Sequence, residues 1–241
     1  MENKKPDVFY YNGGVTKLEL YHGSKYGLNG PIKPKSRKKT DFGKGFYMGT
    51  TVEQPKTLIC DYEEPVLYKL NVNLNHLKCV EVNGIPWAML VAYNRGEMKA
   101  YKNTPLYNQI ANITRNYDMI IGPIADDRMF VVLERFFKGQ ITDRTLLKCM
   151  RAMALGMQYV AKTNLSCDEN HIEIVYEHQL QPTELIALTA QARKDRTHRN
   201  ALADQYIHDE RRNVTSTDRF FDEILKEGEQ NELDIVPNPT L

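Results

Sequence analysis

Three short segments of the chain hold the residue types best suited to chemistry. Tyr21-His22-Gly23-Ser24 sets an imidazole and a hydroxyl on either side of a glycine. Asp41-Phe42-Gly43-Lys44-Gly45-Phe46-Tyr47 frames an aromatic pair with two glycines, a composition that lets backbone approach closely to something else. Gln158-Tyr159-Val160 opens a late apolar strand. Taken singly, each has an ordinary reading, because a histidine at a strand end usually fills a core or caps it. Asp126 and Asp127 follow an apolar run, where they could hold a metal or a ribose, or simply cap a helix. His171 and His178 lie seven apart in an extended segment, so they point to opposite faces and make poor metal partners. Cys60, Cys79, Cys149 and Cys167 show no CxxC spacing, so reduced thiols are expected, with neither disulfides nor zinc. Phosphate loops, dinucleotide glycine loops, HExxH and GxSxG are all missing, and no metal is expected.

The elements that must position these residues follow from periodicity. Residues 1–14 read as an N-terminal tail that gains order near Phe9 to Tyr11. Residues 15–22 alternate as a strand, with Leu18, Leu20 and His22 on one face, so His22 points inward; Gly23 and Ser24 should break it. Residues 29–40 form a polar loop with Lys33, Lys35, Arg37, Lys38 and Lys39. A strand holds Phe46 and Tyr47, a helix capped by Thr51 covers 51–62, and a strand covers 66–74. A helix is expected over 85–102, a buried strand over 117–125, and helices over 128–138 and 142–155. Strands over 157–163 and 171–180 are joined by a short polar loop. Helix then returns from 182, with a thin apolar stripe, and again over 217–226, ahead of an acidic tail. The division is therefore a tail at 1–14, a catalytic-type domain at 15–181 and a helical extension with tail at 182–241.

Composition bounds the function classes. A chain of 241 residues, 41% apolar and 26% charged, can bury a real core, which excludes wholesale disorder. A net charge of +1 removes the simplest case for a general nucleic-acid coat. No apolar run reaches the ~20 residues of a membrane span, and the polar N-terminus lacks a signal-peptide core, so a cytoplasmic protein without membrane partners is expected.

The three segments together, in this order, resemble the ADP-ribosyltransferase superfamily. The class is the His–Tyr–acid one of diphtheria-toxin-like enzymes and poly(ADP-ribose) polymerases. More closely, the chain is similar to a bacterial family of that class with a YHGS strand, a DFGKGFY strand, a YDxIxGPxADD segment and a GxQYVxKT strand. The likeness runs from about residue 17 to 180, and DFGKGFY and GPIADD are its specific parts. It implies an α+β fold, an ADP-ribosyltransferase-like split β-sheet clamp with flanking helices, here with a C-terminal helical extension. It also implies NAD as the substrate.

By that resemblance His22, Tyr47 and Gln158 are the catalytic set. His22 would hydrogen-bond ribose hydroxyls, the Gly23 backbone would clamp the nicotinamide amide, and Tyr47 would stack on its ring. Tyr21, Tyr26 and Ser24 would add contacts, with Phe46 turned to the core. Lys44, Gly45 and the basic loop would meet the pyrophosphate, and Asp126 would complete the cofactor-binding set. A glutamate commonly stands where this chain has Gln158, and an amide accepts a hydrogen bond but brings no charge. Glu173, Glu177, Asp126 and Asp127 are candidates for the missing carboxylate. The implied function is mono-ADP-ribosyl transfer to a protein or nucleic acid, by a toxin of a toxin–antitoxin or anti-phage system with an antitoxin protein as partner. An NAD glycohydrolase and an inactive nucleotide- or partner-binding clamp remain as alternatives.

Overall fold

The computed structural model describes residues 8–10, 17–37, 39–125, 127–153, 156–210, 213–231 and 233. The fold is α+β. Its strands are β1 (Val8–Tyr10), β2 (Lys17–Ser24), β3 (Phe46–Gly49), β4 (Val66–Asn73), β5 (Lys78–Glu81), β6 (Met119–Pro123), β7 (Met157–Ala161) and β8 (Ile172–Gln179). They form one mixed sheet in the order β1-β5-β6-β7-β3-β2-β4-β8. The one parallel pair among them, β5 with β6, is joined through α2 (Gly84–Arg95) and α3 (Pro105–Asn116), as a parallel crossover requires. The remaining helices are α1 (Glu53–Ile59), α4 (Asp127–Phe137), α5 (Asp143–Ala152), α6 (Pro182–Glu210) and α7 (Phe221–Gln230).

The sheet has a weak seam. β2 matches β4 at eight positions and β3 matches β7 at four, yet β2 and β3 meet only at Tyr21 and Gly49. The sheet is thus two blades joined at one point. Strand alternation gives it two buried faces. One face carries Val80, Ile120 and Val160 against Trp87 of α2 and Phe136 of α4. The other carries Leu20, Phe46, Leu70 and Ile121, covered in part by Leu28 and Ile32 of the loop after β2.

Several expectations are corrected. β2 does not stop at His22 but continues through Gly23 and Ser24, which pair with Leu67 and Val66. α1 starts later than expected, and Val52 rather than Thr51 occupies the cap position, with no side-chain bond. The helix expected over 85–102 ends at Arg95, because Gly96 adopts φ 93° and its N–H turns back to the Ala92 and Tyr93 carbonyls. β5 and α3 were not anticipated, although Thr104 caps α3 and Pro105 opens it. The loop after β7 does not make a hairpin. It carries the chain to the far edge of the other blade, where β8 pairs with β4.

α7 begins at Phe221 rather than 217. Thr215 and Asp218 form a turn first, and Arg219 exchanges backbone and side-chain bonds with Asp143. The C-terminal helices share the main core. Ala203 and Ile207 of α6 and Phe221, Ile224 and Leu225 of α7 lie in the same buried cluster as Trp87 and Phe136. The start of α6 instead packs Leu185 and Leu188 against Ile59 of α1.

Ile224 is fully buried, whereas Ile186 of α6 is 73% exposed. Ile224→Ala should therefore lower the unfolding free energy by about 2–4 kcal/mol in urea titrations. Ile186→Ala should change it by less than about 0.5 kcal/mol. Equal effects would mean that α7 is not part of the core.

Candidate functional site

The seam is held open by a side chain. Beyond Tyr21 and Gly49 the next carbonyl of β3 that faces β2 belongs to Tyr47, and the imidazole of His22 takes it, Nδ1 to oxygen at 2.7 Å. A carbonyl only accepts, so Nδ1 carries the proton. Burial pushes the His22 pKa down, outweighing the carbonyl bond that raises it, and the ring is neutral with Nε2 left as an acceptor. The ring stacks on Phe46 at 4.3 Å between centroids. Phe46 faces the core, as alternation along β3 requires.

The other wall is the turn at residues 40–45. Phe42 is fully buried and anchors it. The Tyr47 hydroxyl donates to the Gly43 carbonyl at 2.7 Å and accepts from the Phe42 amide at 3.0 Å, so the ring is fixed at both ends. Burial raises the Tyr47 pKa and keeps the phenol protonated. Thr40 also donates to Gly43, Asn94 donates to the Asp41 carbonyl, and the Lys162 amine donates to the Phe42 carbonyl. Gly43 has φ 73°, and a Cβ there would lie 2.5 Å from Asn94 Oδ1.

A charged pair closes the inner end. Arg95 of α2 reaches the Asp41 Oδ1 through Nε at 3.1 Å and through a terminal nitrogen at 2.6 Å. Its guanidinium lies 3.9 Å from the Phe130 ring centre. Burial raises the Asp41 pKa, against the pull of Arg95, the neighbouring Gln158 amide and the charge of Arg37. Gln158 on β7 also donates through Nε2 to the Pro123 carbonyl at 2.9 Å, which Trp87 shares at the same distance.

These parts line one cleft of about 300 Å³, which brings together Tyr21, His22, Gly23, Tyr47 and Gln158. Asp41, Arg95, Arg37 and Tyr62 line it too, although sequence reasoning assigned them no individual part there. The acidic start of DFGKGFY was the available signal for Asp41. Nothing local marks Arg95 or Tyr62, which reach the cleft from helix α2 and from the chain after α1. The cleft continues past His22, Gly23, Lys25, Ser36 and Arg37 into a trough of about 770 Å³, where Ser24, Lys33 and Lys35 join the wall.

Other expected residues lie elsewhere. Lys44 is exposed and outside both linings, and Gly45 packs on β7, where a Cβ would come 2.5 Å from Val160. Gly23 lines the cleft, but its lack of a Cβ serves α1, whose Pro55 carbonyl would sit 2.9 Å away. Ser24 spends its proton on the Gly27 carbonyl at 2.8 Å, and the Tyr21 hydroxyl donates to Glu19. Tyr26 is exposed and meets Tyr62 edge-on. Glu173 and Glu177 sit on the outer strand β8, away from the cleft; among the described residues the carboxylate that lines it is Asp41. Asp126 falls outside the described residues, as does the side chain of Asp127. His171 donates through Nδ1 to the Asn73 carbonyl, and His178 pairs with Glu184. Among the described residues no group of three or more His, Cys, Asp or Glu could hold a metal, and no helix is long and apolar enough to cross a membrane.

Two substitutions test this geometry. Tyr47→Phe leaves the Phe42 amide without a partner and removes one of the donors to the Gly43 carbonyl, which keeps Thr40, and should cost about 1–2 kcal/mol in urea unfolding; no loss would contradict the anchored ring. Burial pushes the Lys162 amine down to about 8 from 10.5. Between those values the unfolded chain binds the extra proton, so this residue's contribution to stability rises with pH. Relative to Lys162→Met, the wild type should gain stability between pH 7 and pH 10. A pH-independent difference would contradict the depressed amine.

Comparison with known proteins adds a family and a distant structure. No curated protein matches the chain. The solved structure of the M. tuberculosis MbcT-MbcA toxin-antitoxin complex contains a chain with 7% identity and a TM-score of 0.40, over 73% of this chain and 91% of that one. Residues 18–171, which hold His22, Asp41, Tyr47, Arg95 and Gln158, match the family described as "Protein of unknown function (DUF3990)". The match spans well over half of the sequence, and the chain belongs to that family.

Proposed function

We propose that the chain is a mono-ADP-ribosyltransferase that cleaves NAD between nicotinamide and ribose and passes ADP-ribose to a macromolecular acceptor. One observation carries this reading: His22, Gly23, Tyr47 and Gln158 converge on a single cleft at the seam of a split sheet, and that cleft runs on into a cation-lined trough. Neutral His22 offers Nε2 to a ribose hydroxyl. The locked Tyr47 ring is a flat face for nicotinamide. Lys25 and Arg37, at the junction of cleft and trough, suit a pyrophosphate.

The reaction asks little covalent work of the protein. The bond between the ribose carbon and the nicotinamide nitrogen breaks, and its electron pair leaves with nicotinamide, which becomes neutral. The acceptor supplies the pair for the new bond and loses a proton. Between these events the ribose carbon is cationic, so positioning and fixed dipoles supply the acceleration.

The test incubates the full chain with NAD labelled in its adenylate half, in the presence of lysate protein and RNA. Nicotinamide release with label on a macromolecule is expected. His22→Ala and Tyr47→Ala should each reduce it by roughly 100-fold or more. Unchanged NAD would sink the reading. Free ADP-ribose alone would make the protein a glycohydrolase with water as acceptor. Mass spectrometry of the labelled species identifies the acceptor. Growth arrest on expression, relieved by Tyr47→Ala, is the outcome expected of a toxin.

A further inference from the structure

Gln158 carries no charge, yet a buried carboxylate stands beside it. The two observations are one device. The amide nitrogen of Gln158 donates to the Pro123 carbonyl at 2.9 Å, and the Asp41 carboxylate lines the same cleft close beside that amide. The Pro123 carbonyl only accepts, so the amide cannot be flipped without losing that bond. Its oxygen is then the one acceptor the side chain has left, on a residue that lines the cleft. A carboxylate beside the N–H end of an amide draws electron density onto the amide oxygen. Arg95 holds the other side of Asp41 by two nitrogens and rests on Phe130. The four residues come from α4, α2, the 40–45 turn and β7, so tertiary packing alone assembles the chain.

We propose that Asp41 is a positioning residue: acting through the Gln158 amide, it fixes and polarises the acceptor oxygen that meets the ribose, and the pair does the work of a single carboxylate. The inference rests on the NAD reading of the cleft. No bond forms to either residue. The glycosidic electron pair still leaves with nicotinamide, and the Asp41 charge offsets the cationic ribose at one remove.

The experiment measures nicotinamide release by the full chain. Asp41→Asn should lower kcat by roughly 30- to 100-fold with KM changed less than about threefold. The double variant Asp41→Asn with Gln158→Glu should recover most of that loss, because the carboxylate then stands on β7 itself. A purely structural role for Asp41 gives no such rescue. Among the described residues, Arg95, Arg37 and Tyr47 are the charged or titratable groups facing Asp41, and His22 shares the cleft. The acid limb of the wild-type pH–rate profile should vanish in Asp41→Asn. A wild-type kcat, a surviving acid limb or an absent rescue overturns the proposal while leaving the NAD reading intact. A wild type that leaves NAD untouched removes both. If Asp41→Asn does not fold, the wild type decides: the side-chain amide signals of Gln158, identified by their loss in Gln158→Glu, must shift as Asp41 titrates. Signals indifferent to pH overturn the proposal.

Discussion

A single side-chain hydrogen bond organises this molecule. In an uninterrupted sheet the Tyr47 carbonyl would face a backbone amide of β2. His22 occupies that position with its ring, 2.7 Å from the oxygen, and the two strands separate beyond Tyr21 and Gly49. The interaction does two things at once. It satisfies a backbone acceptor that the parted strands would leave unpaired, and it fixes the imidazole tautomer so that Nε2 is an acceptor. Stacking on Phe46 holds the ring in the gap. The cleft therefore exists because an imidazole spans a separation that a strand ladder would have closed.

The opposite wall follows from the same need for satisfied backbone groups. The 40–45 turn exposes carbonyls of Asp41, Phe42 and Gly43, and each is met by a donor from another element, Asn94, Lys162 and Tyr47 in turn, with Thr40 of the turn itself adding a second bond to Gly43. Helix α2 is the platform, since Asn94 and Arg95 are its last residues before Gly96 ends it. Fully buried from Ile85 to Ala92, it cannot shift without disturbing the core. The rigidity of the cleft is thus inherited from the most deeply buried helix. The main core in turn extends to α6 and α7, so residues far along the chain support a site built from its first half.

Much of the fold was legible because alternation and helical spacing are local. The apolar face of Val66, Tyr68, Leu70 and Val72, and the buried spacing of Met129, Val132, Leu133 and Phe136, follow directly from residue order. Two of the boundaries that failed did so for tertiary reasons. β2 runs through Gly23 and Ser24 because β4 lies alongside to pair with them, and α7 starts late because Arg219 is engaged with Asp143. In the sequence, Gly45 and Gly23 mark places where a ligand would need room. The room at Gly45 is taken by Val160, and that at Gly23 by the Pro55 carbonyl.

The sequence by itself determined the α+β pattern and brought His22, Tyr47 and Gln158 under suspicion, because their motifs are contiguous and residue identity alone reveals them. It could not supply the partner of Gln158. Asp41, Arg95 and Phe130 are dispersed over some ninety positions and share no periodicity; they meet only when α2 and α4 pack on the same face of the sheet. Charge placement inside a cleft is a property of distances, and distances between separated segments are decided only when hydrophobic burial brings their elements together.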